Sequence, residues 1–106
     1  MLQDMARSLV VKATAVAGGV NVSLWLTGES TWFALPGKAA EFALPHSAPL
    51  TDLLAAVLAG GQVTACTQCA ARREITADDV IEGIRIAGAA TFVEECLGEG
   101  AQALVY

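Results

Sequence analysis

The sequence predicts an α/β fold in three layers, with helices on both faces of a parallel sheet. Two observations predict it. Segments whose apolar residues recur at three- and four-residue steps alternate with short runs of strand character, the pattern of repeated strand–helix units. Such units cross over right-handedly and leave their strands buried, so the strands are brief and apolar rather than long and half-polar. At 106 residues the chain fits one domain, residues 1–106, able to bury about two-thirds of its unfolded surface.

Leu2, Met5, Ala6, Leu9, Val10, Ala13 and Val16 form a helical stripe that Gly18 and Gly19 stop. Val20 to Thr27 changes to a period of two, with Val20, Val22, Leu24 and Leu26 on one face and Asn21, Ser23, Trp25 and Thr27 on the other, which is a strand with one more polar face. Thr31 to Phe42 reads as short helical pieces broken at Pro36 and Gly37, because proline cannot donate to a continuing helix. After a Pro-bounded connector from Leu44 to Pro49, Leu50, Leu53, Leu54, Val57 and Leu58 make a second helical stripe that ends at Gly60 and Gly61. Gln62 to Cys66 is a short buried strand. Thr76 and Asp79 have capping-box spacing and predict a brief helix through Glu82. Ile84 to Ala87 is extended, Ala89 to Leu97 is a last helical stripe, and Ala101 to Tyr106 is a closing strand. A fold of this kind usually opens with a strand; here a helix comes first, and the opening strand is expected to be missing from this sequence.

Hydrophobic residues make up 55% of the chain and charged ones 16%, which predicts surface buried between subunits of a homo-oligomer. A net charge of −5 argues against nucleic acid, whose binding needs clustered Lys and Arg. No apolar run approaches the roughly 18 residues of a membrane span, and Met1 to Val20 does not have the make-up of a signal peptide. A soluble cytoplasmic protein with no membrane partner is expected. Gly28, Glu29 and Ser30 are too short and acidic a run for a phosphate loop, and no dinucleotide or Walker motif occurs.

Reactive chemistry concentrates between Val63 and Arg73, where an apolar strand breaks into a Cys-x-x-Cys turn and a basic helical start. Ligand sites in α/β proteins lie beyond the carboxyl ends of strands, and a thiol beside a helix start gains thiolate character. Cys66 and Cys69 could carry a persulfide, cycle as a disulfide, supply half a metal site, or pack as small hydrophobes. The metal reading needs four ligands, with His46 and Cys96 completing the set. A thioredoxin-type dithiol is the nearest enzymatic rival, although that motif follows the first strand and this one follows a later strand. Arg72 and Arg73 are auxiliary candidates, to stabilise a thiolate or steer an anionic sulfur donor. Cys96 sits in an apolar stripe and is expected to pack. His46 is weighed as a base, Trp25 and Trp32 as core or interface residues.

The order of these elements resembles the DsrE/DsrF-like sulfur-relay family over about Met5 to Tyr106. The resemblance is carried by the strand ending Leu-Trp-Leu-Thr-Gly-Glu, the leucine-rich helix and the segment from Gly60 to Ala87, with Cys66, Cys69, Arg73, Ile75 and Asp79 to Gly83 at matching positions. It implies a flavodoxin/Rossmann-like subunit that assembles into trimers or hexamers, in a family some members of which accept sulfane sulfur as a cysteine persulfide and pass it to a partner protein; donor and acceptor proteins are expected, and no cofactor or metal. Cys66 matches the carrier position and Cys69 a second cysteine found in many members, which makes the protein a candidate sulfurtransferase. A non-catalytic scaffold subunit and a thiol–disulfide oxidoreductase are the alternatives. Two departures stand out: the family's opening strand and its glycine-containing loop are absent, and Glu74 replaces the usual glycine after the arginine.

Overall fold

Among the described residues, three parallel strands run side by side in chain order, each delivering its carboxyl end to the same edge of the sheet. The computed structural model describes residues 18–19, 21–41 and 49–102. The strands are β1 (Ser23–Leu26), β2 (Gln62–Cys66) and β3 (Arg85–Ala87), ordered β1-β2-β3. In the register, Leu24 faces Val63, Trp25 faces Thr64 and Leu26 faces Ala65, while Thr64, Ala65 and Cys66 face Arg85, Ile86 and Ala87. Partners in register share a face. One face therefore carries Leu24, Leu26, Val63, Ala65 and Ile86, the other Ser23, Trp25, Thr64 and Arg85.

The apolar face makes the core. Leu50, Leu54 and Val57 of helix α1 (Leu50–Gly60) close over it, joined by Phe33, Ala34 and Ala39 from two short 3-10 helices, Gly28–Ala34 and Ala39–Glu41, and by Ile84. These helical pieces break at Pro36 and Gly37, as the proline requires. Helix α1 ends where its spacing predicts. Gly61 must be glycine there, because a Cβ would lie 2.6 Å from the Val22 carbonyl oxygen and 3.2 Å from that of Val57. The close approach lets Gln62 N–H donate to Val22 O at 2.8 Å and start the β1–β2 ladder.

Helix α2 (Thr67–Arg72) follows β2 without a spacer, and helix α3 (Ala89–Cys96) follows β3 through Gly88. The polar face binds α3 through one carboxylate. Glu95 accepts from Ser23 Oγ at 2.6 Å and from Trp25 Nε1 at 3.3 Å, and pairs with Arg85 Nη2 at 2.5 Å, while Arg85 Nε donates to the fully buried Thr64 hydroxyl at 2.6 Å. Trp25 stacks tilted on Phe92 at 5.3 Å between ring centres, with the Arg85 guanidinium over its ring. Helices thus cover both faces, and the α/β reading stands.

Two expectations are corrected. Thr76 and Asp79 do make the side-chain bonds of a capping box, the Asp79 carboxylate accepting from Thr76 N–H at 2.8 Å and from its hydroxyl at 3.0 Å, but turns and not a helix follow. The Ile81 amide, which a helix would aim back at residue 77, donates instead to Ala34 O at 2.8 Å, and Gly83 takes a φ of 97°. Cys96 is exposed and not packed; α3 spends its inward side on Phe92 and Glu95 and leaves Val93 and Leu97 outside. The first helical stripe, the closing strand beyond residue 102 and His46 lie outside the described residues.

Candidate functional site

Cys66 is the last residue of β2 and the N-cap of α2, so its sulfur stands where the strand's carboxyl end meets free backbone amides. Its backbone is extended, φ −65° and ψ 128°, as an N-cap demands. Burial pushes the Cys66 thiol up. That effect is outweighed by the N–H of Cys69, the Cys69 thiol, the N–H of Gln68 and the charge of Arg72, and the net result is a thiol more acidic than usual. Of the two arginines, Arg72 is the one whose charge acts on this sulfur.

Cys69 sits one turn along on the same short helix, half-buried like Cys66. Three residues apart on a helix start is the spacing that brings two side chains together. The Cys69 sulfur also accepts the Gly28 N–H at 3.3 Å. Gly28 opens the first 3-10 helix with φ 55°, a left-handed geometry that suits glycine. Arg73 reaches both elements: its Nη1 donates to the Cys69 carbonyl at 3.0 Å and its Nη2 to Glu29 Oε1 at 2.9 Å.

The helix that carries the dithiol is closed by a Schellman pattern. Glu74 N–H donates to Ala71 O at 3.1 Å and Ile75 N–H to Ala70 O at 2.9 Å. Such a cap asks for a left-handed residue, and Glu74 supplies it with φ 57°. This is the position at which Glu74 departs from the glycine usual in the family that the sequence resembles.

The structure therefore brings together Cys66, Cys69, Arg72 and Arg73, and adds Gly28 and Glu29, which no local spacing could reveal because they lie 41 and 44 residues upstream of their partners Cys69 and Arg73. Trp25 belongs to the α3 interface on the far side of the sheet, and Trp32 is half-buried in the first 3-10 helix. No group of three or more His, Cys, Asp or Glu gathers among the described residues to hold a metal. A recess lined by Asn21, Val22, Ser23, Gly61 and Gln62 lies at the opposite, amino ends of the strands.

The class these features define is a small α/β protein with a strand-tip dithiol. The chain belongs to the DsrE/DsrF-like family, which matches residues 3–105 and whose members are in general sulfur-relay proteins. The fold is also that of the YchN protein from E. coli, with a TM-score of 0.63 at 17% identity over 88% of this chain and 76% of that one. No curated protein matches the sequence. No helix among the described residues is long and apolar enough to cross a membrane.

Proposed function

We propose that this protein is a homo-oligomeric cytoplasmic sulfur carrier in which Cys66 takes up sulfane sulfur as a persulfide and hands it to a partner. The observation that supports this most is the position of Cys66, at the tip of β2 and at the amino end of α2, where its surroundings hold the thiol below its ordinary value, since the thiolate is the form that attacks sulfur. In the uptake step the Cys66 thiolate attacks the outer sulfur of a donor persulfide; the new Cys66–S bond forms, the donor S–S bond breaks and the donor leaves as a thiolate. Delivery repeats the exchange, with an acceptor thiolate attacking the outer sulfur and Cys66 leaving. No net oxidation occurs and no cofactor is called for. In this reading Cys69, one turn away, resolves the persulfide or relays its outer sulfur onward.

The test is mass spectrometry after incubation with a small-molecule persulfide. The native protein gains a single-sulfur adduct on the peptide holding Cys66, and Cys66→Ser abolishes the gain. A Cys66→Ser protein that gains sulfur at undiminished yield removes Cys66 as the carrier. A second reading, a dithiol that cycles as a disulfide, draws on the one-turn spacing of Cys66 and Cys69 at the start of α2. It requires a Cys66–Cys69 bridge to form under mild oxidant and to be reopened by a dithiol.

A further inference from the structure

We infer that Glu29 and Arg73 are positioning residues that clamp Cys69 and, through it, hold Cys66 ready to react. The clamp is a closed ring. Arg73 holds the Cys69 carbonyl with one guanidinium nitrogen and Glu29 with the other, and the residue before Glu29 presents its N–H to the Cys69 sulfur. Both ends of Cys69, carbonyl and sulfur, are thereby fixed from one ion pair that joins α2 to the first 3-10 helix.

The exposures agree with this role. The Arg73 side chain is only 17% exposed, against 54% for Glu29, and a mostly buried guanidinium is tolerated when its donors are matched. With Nη1 and Nη2 both engaged inside the protein, Arg73 organises the site rather than receiving an anionic substrate, a task left to the exposed Arg72. Cys69 lies one turn from Cys66 at the same helix start, so fixing both of its ends fixes the neighbour that holds the Cys66 thiol down. Glu29 and Arg73 thus act on Cys66 at one remove. Among the described residues, the charged and titratable groups that act on Cys66 are Cys69 and Arg72 on α2, with Arg73 and Glu29 behind them; β3 contributes Ala87 and the turn Gly88, which carry no charge.

The role in sulfur transfer rests on the carrier reading; the effect on Cys66 does not. The experiment therefore has two arms. In sulfur-free protein, the rate of Cys66 alkylation by iodoacetamide is followed against pH for the native chain, Glu29→Gln, Arg73→Lys and the charge swap Glu29→Arg/Arg73→Glu. Arg73→Lys keeps the charge but cannot bond Glu29 and the Cys69 carbonyl from one planar fork. Both single variants are expected to move the midpoint up by about half a pH unit, or about threefold less thiolate below it. The swap should recover melting temperature without recovering the midpoint, which a merely structural ion pair would restore. Native midpoints in both single variants overturn the clamp, and a swap that restores the midpoint overturns the part assigned to Arg73 at the Cys69 carbonyl. In persulfide-loaded protein, the share of sulfur found on Cys69 should fall several-fold in Glu29→Gln, and an unchanged share counts against the clamp. If the native chain takes up no sulfur at all, the carrier reading fails while the alkylation arm still decides the clamp.

Discussion

Cys66 owes its acidity to neighbours within its own helix, and that makes the effect testable against the unfolded chain. Folding lowers its thiol, so the native protein should reach half-maximal alkylation at lower pH than the same protein in urea. Arg72→Gln should close part of that gap. The sign for stability follows from the same shift: a depressed acid favours the fold above its unfolded pKa, and that contribution fades as pH falls through the folded value. A second residue-scale prediction concerns Glu74, held at φ 57° where a side chain costs energy. Glu74→Gly should stabilise the protein by about 0.5–1 kcal/mol in chemical denaturation, with the α2 cap unchanged. The cysteines were legible in the sequence because their spacing is local. Glu29 was not, because its meaning comes from an arginine forty-four residues later, and no periodicity links the two.

At the scale of elements, periodicity fared best where the segment has one environment. Helix α1 and strands β1 and β2 fall close to where their spacing puts them, since each has a single apolar face to bury. The segment after Thr76 failed for a physical reason: its capping bonds form, but tertiary structure claims the Ile81 amide that a helix would use. Local propensity is overridden by a distant acceptor. The junction of α1 and β2 offers the sharpest element-scale test. Gly61→Ala forces a Cβ against two backbone carbonyls, and overpacking against atoms that cannot rotate away should cost about 1–3 kcal/mol in urea unfolding.

For the whole molecule, the two faces of the sheet are stabilised by different physics. One is a hydrophobic core; the other is a polar network converging on Glu95. Burial raises the Glu95 carboxyl, but hydrogen bonds from Ser23, Arg85 and Trp25 and the charge of Arg85 outweigh it and leave the acid stronger than usual. The attachment of α3 should therefore be complete above the ordinary glutamate range and weaken as pH falls through the lowered value. Near-UV circular dichroism of Trp25 reports this, and Glu95→Gln should flatten the acid limb while costing about 1 kcal/mol at neutral pH, as expected of a partly exposed pair. The apolar composition, 55% hydrophobic, carries a separate expectation: equilibrium sedimentation should give a multiple of the 10.9 kDa chain.

The bond from Ile81 N–H to Ala34 O ties the end of the first 3-10 helix to the segment that leads into β3. The same 3-10 helix begins at Gly28, on the Cys69 sulfur. Its two ends are thus anchored to two different parts of the chain, with Phe33 and Ala34 between them packed in the core. Parting the Gly28–Cys69 bond alone leaves the Ile81 amide protected, whereas unfolding of the whole 3-10 helix exposes it to solvent exchange. Deuterium uptake at this single amide therefore distinguishes a local parting at the thiols from loss of the helix, without a probe attached to either cysteine.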